Sequence, residues 1–302
     1  MIKKITLMLL AACLALALLG CSGSETNDTP ALSQEEINAA FALRISGPTL
    51  PPNEKPDEPI CTDYSSTGLL RICYEKEEDV KIKLQVLHGA EEWVVYNLKA
   101  DGSIEDFSLQ FGSGEYTVNI MQNLKDDQYF AVESKTFAVT LSDDTSVYLN
   151  SIQNVNWNYD MQPIIDVKNI IAPALENAQD SELKQSCTND LYTYICQNIT
   201  YDNDKVFNLE YDYIPDIEQT YADGKGICYD YSSLLASMLR SVGIPTKLVK
   251  GYASYNPTVY HAWNEVYLNG EWFVIDTTFD ASAGVHKPVF KDAADYTKVS
   301  EY

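Results

Sequence analysis

Basic residues are scarce in this chain. Its 302 residues hold 21 lysines and arginines against 44 aspartates and glutamates, a formal charge of −23. So acidic a chain argues against nucleic acid, anionic lipid or anionic wall polymers as primary partners, since each needs a basic face. Histidine is scarcer still, at three, and no two of His88, His261 and His286 stand at metal-ligand spacing. No apolar run reaches the roughly 20 residues that cross a bilayer. There is no phosphate loop, because GKGIC at 224–228 lacks the required glycine spacing. Asp202-Asn203-Asp204 fails as the start of an EF-hand, because Val206, Phe207 and Tyr213 occupy positions that need a ligand, a glycine and a glutamate. No metal or cofactor is expected.

What is present begins with an address. Lys3 and Lys4 precede a 15-residue apolar run, Ile5 to Leu19, and Leu18-Leu19-Gly20-Cys21 follows. A charged start, a short apolar stretch and a small residue before the cut describe a secretory signal over residues 1–20. The LLGC sequence resembles a bacterial lipobox. That resemblance implies cleavage before Cys21, lipid on its thiol, and an exported chain tethered to the bacterial cell membrane. Loss of Lys3 and Lys4 would leave 19 basic against 44 acidic residues, a charge of −25.

Residues 21–60 read as a Pro-rich tether, with one short helix whose start is marked by Ser33 and Glu36 as a capping box. That helix could dock on the body or act as a spacer. Residues 61–150 change period. Val80, Ile82, Leu84 and Val86 alternate with polar residues, as do Tyr116, Val118 and Ile120, and Phe137, Val139 and Leu141. Such runs predict an antiparallel β-sandwich. It resembles an immunoglobulin-like accessory module and carries no binding motif, so a supporting role is expected. Cys61 and Cys73 flank the turn Ser65-Ser66-Thr67-Gly68, where either a disulfide or two separate thiols would fit.

Residues 151–302 form the third region. Helices are expected over 160–200, punctuated by Pro163 and Pro173. Cys187 and Cys196 lie nine residues apart, about half a turn around a helix, so they cannot bridge each other. Cys228 is different. Gly224 and Gly226 precede it, and Tyr231, Leu234, Leu235, Met238, Leu239 and Val242 follow at helical spacing until Gly243 and Pro245. This places Cys228 at a helix N-terminus, where partial positive charge favours a thiolate.

Further on, His261–Leu268 and Glu271–Thr278 are strand-like runs joined by Asn269-Gly270, the signature of a two-residue type I′ hairpin. That turn sets Leu268 opposite Glu271 and Trp263 opposite Asp276. His261 and Asp276 then become diagonal neighbours on one face, with Cα atoms about 7–8 Å apart. A cysteine, a histidine and an aspartate so placed have the makings of an activated nucleophile. Residues 282–302 read as a polar tail.

The run GKGICYDYSSLLASMLRSVGIP, followed by GYA, HAWNEVYLNGEW and IDTT, resembles the transglutaminase-like superfamily, a papain-like cysteine fold in bacterial surface proteins. The resemblance implies an α+β core with Cys228, His261 and Asp276 as catalytic triad. It also implies a thioester intermediate on peptide or protein substrates at the cell surface. Water is the expected acceptor, since amine transfer needs a pocket that excludes it; the stretch Ser254–Tyr260 could supply one. Gln219, Tyr221 and Tyr201 are candidates for a second oxyanion donor. The competing expectation is a surface binding protein that keeps this fold without chemistry.

Overall fold

The structure, a computed structural model, describes residues 32–76, 80–90, 92–210, 212–285 and 287–302. The signal segment, Cys21 and His286 lie outside the described residues. Helix α1 (Gln34–Arg44) presents Ile37, Ala40 and Phe41 to a large apolar core. The Arg44 guanidinium donates to the carbonyls of Leu175 and Ala178 and pairs with Asp180. This part of the Pro-rich stretch is therefore docked, as one of the two sequence readings allowed.

Strands β1 (Ile60–Cys61), β2 (Leu69–Glu75), β3 (Ile82–His88), β4 (Glu92–Leu98), β5 (Asp101–Ser108), β6 (Gly114–Lys125) and β7 (Gln128–Val139) make two antiparallel sheets, ordered β1-β2-β5 and β4-β3-β6-β7. Alternation dictates which side chains turn inward: Ile82, Leu84 and Val86 of β3 meet Tyr116, Val118 and Ile120 of β6, with Leu70, Ile72 and Phe107 from the other sheet. Cys61 and Cys73 sit on either side of the expected turn as free thiols, Cys61 opposite Arg71 and Cys73 opposite Ile104. His88 takes a partner that sequence reading missed, Glu92 across the β3–β4 turn, at 2.6 Å.

The apolar core that receives α1 is a separate one. It is built on α2 (Gln162–Ile170), α3 (Ala172–Asn177), α4 (Leu183–Asn198), β8 (Thr200–Tyr201), α5 (Asn203–Phe207), α6 (Ile217–Asp223), β9 (Lys225–Gly226), α7 (Cys228–Ser241), β10 (Thr246–Ala253), β11 (Asn256–Leu268), β12 (Glu271–Ile275), α8 (Thr277–Ser282) and β13 (Tyr296–Glu301). The sheet here is antiparallel in the order β12-β11-β10-β13.

Helix α7 lies at the centre. The predicted stripe is buried, and so are Ser232, Ser233, Ser237 and Arg240, so the helix is enclosed on all sides rather than along one face. Its serines and Ala236 let neighbouring elements approach closely. Arg240 is fully buried and donates to the carbonyls of Thr246, Asn150 and Tyr302, which ties three segments together.

Two local expectations need correction. The chain leaves the sheet at Ile275, not Thr278, because the Asp276 carboxylate caps a helix there by accepting from Phe279 N at 2.9 Å. The expected polar tail contains a strand: β13 pairs with β10 along the sheet edge.

Candidate active site

The backbone around Cys228 is held from two sides. Strand β9 pairs in parallel with β8, bringing Thr200 and Tyr201 alongside Lys225 and Gly226. At the start of α7, the fully buried Asp230 accepts from Ile227 N at 2.8 Å. The same carboxylate takes the ammonium of Lys205 at 2.8 Å and the phenol of Tyr213. A Cβ on Gly226 would stand 2.6 Å from the Asp230 Cβ, so this approach requires glycine. Cys228 is thereby fixed as the first residue of α7, where the leading N–H groups have no helical partner and the dipole favours an anion.

The histidine and aspartate meet through the hairpin. Asn269 (φ 53°) and Gly270 (φ 91°) both lie in the left-handed region that a type I′ turn demands, and Leu268 faces Glu271 as the turn predicts. His261 Nε2 lies 2.8 Å from Asp276 Oδ2. The Asp276 side chain is fully enclosed and that of His261 is 13% exposed. Burial alone would lower the imidazole pKa. Hydrogen bonds and charge from Asp276 and Cys228 outweigh it and raise the value to about 10. Burial likewise opposes charge on Asp276, but His261 and the donors around the carboxylate hold it below the usual range. With Nε2 committed to Asp276, Nδ1 is the nitrogen left for the Cys228 thiol.

Cys228 also differs from the other cysteines of this core. Burial pushes the thiols of Cys187 and Cys196 up to about 12, and both are enclosed. Cys228 is half-buried, at the edge of the core.

Several site residues were not foreseen. Tyr255 and Tyr296 each donate to Asp276 Oδ2 at 3.0 Å, on the oxygen that His261 uses. Tyr192 reaches the Asp276 carbonyl at 3.3 Å. Of the stretch 254–260, expected as a possible water-excluding pocket wall, residues 256–260 are the first part of β11. Of the candidate oxyanion donors, Tyr221 is engaged with Asp166 at 2.8 Å and stacks on Tyr194. Gln219 is exposed near the start of α6. Tyr201 lies within electrostatic reach of Cys228. Asp202, in the rejected calcium motif, caps α5 by accepting from Lys205 N.

Residues 171–277 match the family model of the transglutaminase-like superfamily, a span that includes Cys228, His261 and Asp276. These residues are a transglutaminase-like domain. Among curated proteins, the chain is similar to the kyphoscoliosis peptidase of Mus musculus, 30% identical over 116 residues. The match covers 33% of this chain and 17% of that protein. The chain spans only 13–17% of the length of the curated relatives it matches. Among solved structures, a candidate cysteine protease from Cytophaga hutchinsonii is 15% identical, with 76% of this chain and 80% of that chain covered and a TM-score of 0.36. Red sea bream transglutaminase is 13% identical, with 70% and 48% covered and a TM-score of 0.31.

Proposed function

We propose that the transglutaminase-like domain is a cysteine-dependent amide hydrolase acting on peptides outside the cell. The observation that carries this reading is the 2.8 Å contact from His261 Nε2 to the buried Asp276, on an imidazole whose protonated form is also favoured by Cys228 at the start of α7.

In this reading the Cys228 thiolate attacks the scissile carbonyl carbon, forming a C–S bond and an oxyanion. The oxyanion collapses, the C–N bond breaks, and His261 gives its proton to the leaving amine. Water then attacks the thioester carbonyl while His261 takes up its proton. The C–S bond breaks, releasing the carboxylic acid and restoring the thiolate and imidazolium. Asp276 holds the ring in one orientation throughout. The Cys228 N–H, unpaired within the helix, donates to the oxyanion, and Tyr201 is the best placed second donor. Water is the preferred acceptor because the site lies at the surface edge of the core.

Export and lipid attachment through Cys21 complete the proposal. Among the described residues no helix is long and apolar enough to cross a membrane. The two-sheet region serves as an immunoglobulin-like support. The deciding experiment incubates the folded protein with a mixture of cell-surface peptides and traps an acyl adduct on Cys228 by mass spectrometry. An adduct lost in Cys228→Ala supports the reading. A Cys228 no more reactive than an exposed model thiol would return the protein to the binding class.

A further inference from the structure

Lys250 stands apart in a strongly acidic chain. The other lysines of its sheet meet carboxylates: Lys247 pairs with Glu301 and Glu265, and Lys298 with the same two. Lys250, on β10, has neither an ion pair nor a side-chain hydrogen bond among the described residues, in a protein with 44 acidic residues. Both Lys247 and Lys250 lie against two rings, Lys247 against Tyr148 and Trp272 and Lys250 at 3.5 Å from the centroid of Tyr229 and 5.2 Å from that of Tyr302, but Lys250 lacks the carboxylates. Tyr229 is the residue next to the nucleophile. On the sheet, Lys250 pairs with Ala262, directly after His261.

A partly buried cation facing only π-clouds retains unfilled donor capacity, because the rings stabilise charge but accept no conventional hydrogen bond. Burial lowers the ammonium pKa to about 8, and Cys228 is the charge that works against this. Tyr229 is buried, but Lys250 and Tyr302 are only partly so, and Tyr260, half exposed, lies within electrostatic reach of both tyrosines.

We propose that Lys250 is a specificity-determining residue that receives a carboxylate of the acyl donor, so the site prefers peptides bearing a negative charge beside the scissile carbonyl. The carboxylate completes the donor set that the protein leaves open and brings the carbonyl over Cys228. This inference rests on Cys228 being the reactive thiol. The two claims separate experimentally because one depends on reagent charge and the other does not.

The test compares alkylation of Cys228 by iodoacetate, which carries a carboxylate, and by neutral iodoacetamide, each normalised to an exposed model thiol, with Cys228→Ala as background. The expected result for the wild type is an iodoacetate-to-iodoacetamide rate ratio at least tenfold above that of the model thiol. The ratio should fall to the model value in Lys250→Met and be retained in Lys250→Arg. A wild-type ratio equal to the model thiol's overturns the proposal without requiring any variant to fold. Equal slowing of both reagents in Lys250→Met also overturns it, leaving Lys250 as support for the thiolate alone. Ordinary reactivity toward iodoacetamide would remove both the proposal and the reading beneath it. A peptide series then locates the charge. Acidic side chains, a free C-terminal carboxylate and their amidated counterparts are compared by kcat/KM, and no preference for any charged peptide over its neutral partner again counts against the proposal.

Discussion

His261 Nε2 and Asp276 Oδ2 stand 2.8 Å apart, and that single carboxylate oxygen also receives the phenols of Tyr255 and Tyr296 at 3.0 Å each. The other oxygen, Oδ1, caps α8 through Phe279 N. Asp276 thus orients the imidazole from a position fixed by three other donors, one of them the Phe279 N–H in the first turn of α8.

Replacing the three residues of the proposed triad, Cys228, His261 and Asp276, should produce graded losses. Cys228→Ala is expected to abolish peptide cleavage while leaving the thermal transition almost unmoved, since the thiol sits at the rim of the core. His261→Ala should cost nearly as much, because the pair acts as a unit. Asp276→Asn should lower kcat by roughly 10²–10⁴-fold through the wrong tautomer, with α8 retained because asparagine also caps helices. Steady-state kinetics beside a melting curve checks all three, and cleavage persisting in Cys228→Ala would defeat the mechanism.

Tyr255→Phe and Tyr296→Phe each remove one donor to the Asp276 carboxylate. With less support for its anion, Asp276 binds a proton more readily, so the acid limb of the kcat/KM profile should shift to higher pH. The shift should be larger in the double variant. An acid limb that stays in place would show the tyrosines to be packing residues only.

Stability should depend on pH through His261. Its folded pKa is raised to about 10 from an ordinary value near 6.5, so between these limits the native state binds the extra proton. The stabilisation is fully present below about pH 6.5 and is lost as the pH rises through about 10. Asp276, lowered in the fold, acts in the opposite sense, contributing above the ordinary carboxylate range near pH 4 and failing as the pH falls below it. Urea midpoints for wild type and His261→Gln should differ most at pH 6 and converge above pH 10. A gap that widens with pH would contradict the assignment.

Gly270→Val should destabilise the fold by about 1–2 kcal/mol, because the position is held at φ 91° and a β-branched residue resists the left-handed region. Activity should fall beyond the stability loss, since the turn sets the register that brings His261 to Asp276. Full activity per folded molecule would show the register to be held elsewhere.

Period and punctuation in the sequence determined much of this protein. Alternating residues picked out the inward faces of β3 and β6. Gly243 and Pro245 ended α7, and Asn269-Gly270 alone fixed the pairing that joins His261 to Asp276. These features are local: a turn type or a repeat of two or 3.6 residues constrains the backbone wherever it occurs. Only the tertiary structure decided the rest. Nothing near Tyr296 or Tyr255 announces that their hydroxyls converge on Asp276, because those contacts span 20 and 21 residues and depend on β13 closing the sheet edge. Asp276 reads equally well as a strand residue until its carboxylate finds Phe279 N. Lys250 differs from Lys247 not in its neighbours along the chain but in what the fold sets against it: both ammoniums lie against two rings, and Lys247 alone also meets two carboxylates.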